Sequence, residues 1–119
     1  MSEEFIKEAT NEIVQDLEDI SSILQSCEGD NDITKNSGQI EKHMHRIKGL
    51  APMMGKVDVG ELAKILDSLL KYILTGKKID GFFVALTTSI EQMKIAMKKP
   101  HDLTQIQKQI SDISLKIKE

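Results

Sequence analysis

Apolar residues recur at alternating steps of three and four in five segments of the chain, the spacing of one buried helical face. Ile6, Ala9, Ile13, Leu17, Ile20 and Leu24 trace the first segment. Ser2 stands where a cap belongs, and Glu3 and Glu4 fall in the first turn, where acids suit the helix dipole. Residues 27–39, "CEGDNDITKNSGQ", are rich in Gly, Asn, Asp and Ser and predict a connector. Ile40, Met44, Ile47, Ala51 and Met54 predict a second helix that closes near Gly55. Asp58 is placed to cap a third, whose buried line is Val59, Leu62, Leu66, Leu69 and Ile73. After the turn "TGKKIDG", Phe82, Phe83, Leu86, Ile90, Met93 and Met97 predict a fourth. "KKPHD" ends it, and Asp102 caps a fifth carrying Leu103, Ile106, Ile110, Ile113 and Ile117.

No stretch alternates with period two between hairpin turns, so no strand is predicted. Short connectors between helices of this length favour antiparallel neighbours. The expected fold is all-α: an antiparallel up-down-up-down four-helix bundle over about residues 2–98, with a fifth C-terminal helix over about 102–118, in a single domain spanning 1–119. The fifth helix is nearly pure heptad, so it either docks outside the bundle or pairs with another chain.

Composition narrows the function classes. The 119 residues contain no Trp, one Tyr and three Phe, so the core must be aliphatic, with Met53 and Met54 expected as filler. A net charge of −3 offers no basic footprint for nucleic acid and no polybasic patch for an anionic membrane. The single Cys27 excludes an internal disulfide and a Cys-rich zinc site, and suits a reducing compartment. "MSEEFIKEAT" is acidic and amphipathic, unlike a signal peptide, and no apolar run reaches membrane-spanning length. The expectation is a soluble, cytoplasmic, monomeric protein.

Residues 43–55, "HMHRIKGLAPMMG", carry the candidate chemistry. Glu41, His45, Lys48, Gly49 and Pro52 are spaced to share one helical surface. His43 points elsewhere, because residues two apart on a helix differ by about 200°. The two histidines therefore cannot chelate one metal, and no metal site is expected. His45 offers a nucleophile at mid-helix, Lys48 a cation one turn on, and Gly49 a gap through which another backbone can approach. Together these suit acceptance of a phosphoryl group. Singly, a surface histidine or lysine ordinarily carries no chemistry. Pro52 should kink the last turn of the helix, beyond the histidine.

"HRIKGLAPMMG" resembles the histidine-phosphotransfer (HPt) signature, His-x-hydrophobic-Lys-Gly followed by small residues and a hydrophobic-Gly. It is most similar to the version at the N-terminus of the chemotaxis kinase CheA. "FIKEATNEIVQDLEDI" and "LAKILDSLLKYILTGKKID" resemble the first and third helices of that domain, and the likeness covers roughly residues 5–98. The resemblance implies that His45 is the phosphoacceptor, supported by Lys48 and Gly49. It also implies that a third-helix carboxylate, Asp67 here, hydrogen-bonds the other imidazole nitrogen. Such a carboxylate would fix the tautomer and leave Nε2 free to attack. The family usually has Glu at that position, so a longer or water-bridged contact is expected. Asp67 could equally be a surface acid near Lys64 and Lys71. Lys64, where the family often has a polar residue or a second histidine, would add positive charge to the site. The segment "IEKHM" is more charged than the family's usual apolar run, and His43 is read as a flank without chemistry.

The implied function is that of a phosphoryl carrier in a two-component or chemotaxis pathway. The phosphoryl group would come from the ATP-binding catalytic domain of a histidine kinase. It would leave to an aspartate of a response-regulator receiver domain. The chain shows no Gly-rich nucleotide loop and no paired carboxylates for Mg²⁺. It is thus expected to have no catalytic activity alone and no cofactor, Mg²⁺ and ATP belonging to its partners. Lys48, Lys64, Gly49 and Gly60 would line the partner surface. A free-standing relay outside chemotaxis, the leading piece of a CheA-like kinase, an unphosphorylated receiver-docking module and a helical assembly module are the alternatives.

Overall fold

The structure, a computed structural model, describes residues 1–118 and holds five α-helices. They are α1 (Glu3–Gln25), α2 (Asp30–Leu50), α3 (Val57–Leu74), α4 (Phe82–Lys98) and α5 (Thr104–Ile117). A short 3₁₀ turn, Pro52–Met54, lies between α2 and α3. Among the described residues there is no strand, and no helix is long and apolar enough to cross a membrane.

α1 starts as its sequence directs: the Ser2 side chain accepts the Phe5 N–H at 3.1 Å. Its buried line begins only at Ala9, however, and Ile6 is 40% exposed beside an equally exposed Phe5. The connector expected over residues 27–39 is a correction, because α2 begins at Asp30 and only residues 26–29 remain as loop. The polar residues of this stretch satisfy themselves along the helix. Asp32 accepts the Glu28 N–H at 2.8 Å, and Asn36 Nδ2 donates to the Asp32 carbonyl at 2.8 Å. Ser37 Oγ likewise donates to the Thr34 carbonyl at 3.0 Å. The buried line simply runs further back, through Ile33 and Ser37 to Ile40, Met44 and Ile47.

Asp30 also acts at a distance. Its two carboxylate oxygens accept the N–H groups of Gly81 and Phe83, at 2.9 and 2.8 Å. α4 has no side-chain cap of its own, and Gly81 stands before it in the left-handed conformation, φ 80°. The start of α4 is therefore capped by the start of α2.

Pro52 does not kink α2; the α-helix stops at Leu50 and the proline opens the 3₁₀ turn. Gly55 closes it at φ 77°, and the Lys56 N–H returns to the Ala51 carbonyl at 2.9 Å, the six-to-one bond of a Schellman ending. The turn folds Pro52 onto α3 at Gly60. A Cβ on Gly60 would lie 2.6 Å from the proline Cγ, so this glycine permits an internal contact. Gly60 is buried, whereas the sequence reading had set it on the partner surface. Asp58 lies inside the first turn of α3 and does not cap it; Lys56 precedes the helix without a side-chain cap bond. Met53, expected in the core, is half exposed.

α2 packs most extensively on α3, and α1 covers α2 and α4. α5 docks on α3 and α4 through Leu103, Ile106 and Ile110. One continuous aliphatic cluster joins all five helices, with Phe82 the largest fully buried side chain. The radius of gyration is 13.7 Å, close to the roughly 13.5 Å of a compact chain of this length.

Candidate functional site

Two buried carboxylates flank α2, and each engages a histidine of that helix. On the α3 side, Asp67 is 1% exposed, which excludes the surface acid among the sequence readings. Its Oδ2 receives Lys48 Nζ at 2.9 Å and Lys71 Nζ at 3.1 Å, and lies 3.4 Å from His45 Nδ1. Glu41, one turn before the histidine, adds its Oε2 at 3.7 Å from the same nitrogen. The His45 ring itself is 56% exposed. Helix periodicity explains the convergence: Glu41, His45 and Lys48 follow at steps of four and three, on the edge of α2 that meets α3.

A carboxylate against Nδ1 selects the Nδ1–H tautomer, which leaves the Nε2 lone pair at the opposite edge of an exposed ring. The two ammonium groups keep the carboxylate ionised despite its burial. Burial alone would raise the Asp67 carboxyl, but the neighbouring Glu41, Lys48, Lys71 and His45 outweigh it and hold the group at about 2. Glu41 moves the other way. Its closeness to Asp67, then its own burial, push it above the ordinary glutamate range.

The sequence-derived residues are placed as follows. Glu41, His45, Lys48 and Asp67 meet in one cluster. Gly49 is exposed, and a Cβ there would meet nothing within 4 Å, so the surface beside His45 and Lys48 is open. Lys64 is exposed on α3 outside the cluster. The α3 lysine on Asp67 is Lys71, one turn further along. Sequence reasoning treated Lys71 only as a neighbour of a surface acid; its i,i+4 spacing from Asp67 was the available signal.

Glu41, His45 and Asp67 each hold a potential metal-binding atom within 4.8 Å of the others. Two ammonium groups already rest on the Asp67 oxygen, however, so the site supplies its own cations and does not invite another.

On the α1 side, His43 faces a different helix, as its position two residues away requires. Its Nδ1 lies 2.8 Å from Asp16 Oδ1, and Arg46 grips the same carboxylate with Nε and Nη2. Asp16 is 2% exposed, and these partners satisfy it fully. This cluster was not foreseen; the signal was a lone acid, Asp16, at a buried register of α1.

No family model matches the chain, no curated protein matches it, and no solved structure does.

Proposed function

We propose that the protein is a phosphoryl carrier with His45 as the phosphoacceptor. The observation that carries this reading is an exposed imidazole whose Nδ1 is held by a buried, doubly ion-paired carboxylate. The helical packing is consistent with the HPt resemblance of the sequence, with the histidine on α2 and its carboxylate on the adjoining α3.

Uptake needs no proton transfer. Nε2 attacks the γ-phosphorus of ATP held by a histidine kinase's catalytic domain; the N–P bond forms, and the P–O bond breaks with its electron pair leaving on ADP. The ring keeps its Nδ1 proton and becomes cationic, and Asp67 offsets that charge. Onward transfer reverses the electron flow. An aspartate oxygen of a receiver domain attacks phosphorus, the N–P bond breaks, and its pair returns to the ring. The free edge at Gly49 gives both partners access to the histidine. An assembly role through α5 has less support, because the apolar line of that helix is spent on α3 and α4.

The test is phosphoryl uptake by the intact chain, from a kinase catalytic domain with Mg-ATP or from phosphoramidate, read as acid-labile, base-stable label. His45→Gln should abolish labelling. Undiminished label in that variant, or none on the wild type from either donor, would overturn the proposal.

A further inference from the structure

One buried polar atom of the site is unexplained. Asp67 Oδ1 is inaccessible to solvent and has no hydrogen-bond partner, although the sister oxygen, Oδ2, receives two ammonium groups. A buried carboxylate oxygen left unpaired forfeits its hydration with nothing in return. A neighbouring group able to relieve it is another acid. Glu41 is largely buried, with a side chain only 16% exposed, and presents an oxygen within 4.8 Å of a carboxylate oxygen of Asp67 and of a ring nitrogen of His45. An ionised glutamate can only accept; a protonated one can donate.

We propose that the Glu41 carboxyl carries a proton that it donates to Oδ1 of Asp67, making Glu41 a positioning residue for phosphoryl uptake at His45. The proposal rests on the carrier reading above for its functional half, and on the orphaned oxygen for its structural half. The upward push on Glu41 from Asp67 and from burial agrees with it.

Charge gives the pair its consequence. The groups acting on Glu41 are His45 from α2 and Asp67 and Lys71 from α3, and Lys48 of α2 joins the cluster through Asp67. With Glu41 protonated and the ring neutral, one carboxylate and two ammoniums leave the cluster at +1, a setting that attracts a phosphoryl anion. With Glu41 ionised the cluster sums to zero, Oδ1 loses its donor, and a second anion stands 3.7 Å from Nδ1. Uptake should therefore slow as Glu41 loses its proton. This is a role through Asp67, not contact with the phosphoryl group.

The experiment has two arms on the full chain. In the first, the Glu41 side-chain carboxyl is titrated by carbon NMR without any phosphoryl donor. Its midpoint should lie above the ordinary glutamate range in the wild type and return to that range in Asp67→Asn. An ordinary midpoint in the wild type overturns the proposal. In the second, phosphoramidate labelling rates are compared between variants across the pH range. Glu41→Gln, whose amide still donates to Oδ1, should label within about twofold of the wild type at low pH. The ratio of its rate to the wild-type rate, which cancels the titrations common to both proteins, should climb through the Glu41 midpoint. Glu41→Ala should be severalfold slower than Glu41→Gln at every pH. A constant ratio, or equal rates for Gln and Ala, overturns the positioning role. Absence of label from every variant, with a shifted Glu41 midpoint, would remove the carrier reading and leave the proton-sharing pair standing.

Discussion

Asp67 is a carboxylate kept ionised inside an aliphatic core by two lysines and a histidine, so its charge is linked to folding. A group held below its unfolded value stabilises the fold at pH above that unfolded value, and the contribution is lost as pH falls through the folded one. For Asp67 the window runs from the ordinary carboxylate range, 3.8, down to about 2. Chemical denaturation between pH 5 and pH 2 should show a steep loss of stability that Asp67→Asn flattens. An equally steep loss in that variant would mean the acid sensitivity arises elsewhere. At this scale the sequence disclosed much of the site. The steps from Glu41 to His45 to Lys48 can be read from helix periodicity, and the HPt resemblance pointed to Asp67. What it withheld was burial. Whether Asp67 is a surface acid or an enclosed one depends on where α2 lies against α3, which no local pattern encodes, and the place of Lys71 on its oxygen depends on the same packing.

Between elements, the bond from Asp30 to the start of α4 deserves a direct test. Two backbone N–H groups at the start of α4, those of Gly81 and Phe83, depend on a side chain 51 and 53 residues away. Asp30→Ala should cost about 1–2 kcal/mol, the range for losing a helix cap. The loss should be local: amides of Phe82 to Ala85 should exchange faster while those in the middle of α4 keep their protection. Uniform acceleration along the helix would argue against a capping role. The same residue shows why the reading of residues 27–39 as a connector failed. Gly, Asn, Asp and Ser favour loops because their side chains compete for backbone bonds. Here those bonds are made along a helix, and Ile33 buried at 1% exposure outweighs the weak local preference. Helices with uninterrupted apolar lines, α3 and α4 above all, were legible throughout; the caps expected of α3 and α5 were misplaced. Asp58 sits one residue inside α3, and Leu103, without a side-chain cap bond, precedes α5, although Asp102 just ahead of it accepts the Thr104 N–H at 3.0 Å.

Over the whole molecule, the fate of α5 was open in the sequence because a heptad line fits a neighbouring chain as well as a neighbouring helix. Complementary faces on α3 and α4 decide it. The core those helices share contains no Trp and is built chiefly from Ile, Leu, Met and Ala. Such side chains are nearly interchangeable, so a small change in the angular setting of a helix seated among them costs little. The carboxylates on either side of α2 deny it that freedom. A rotation that carried Arg46 away from Asp16 would strand a buried anion, and would swing His45 off Asp67 in the same movement. The Asp16 cluster, which does not touch His45, thus works as a key in a keyway and fixes the angle at which His45 faces outward. Asp16→Leu combined with Arg46→Leu removes the buried charge together with its 60% exposed partner, so the melting temperature should hold. In that variant the imidazole resonances of His45 should broaden or double, as the helix gains a second angular setting. One sharp set would mean that packing alone suffices. Aim, on this account, is a property distributed across α2, guarded on the side away from His45.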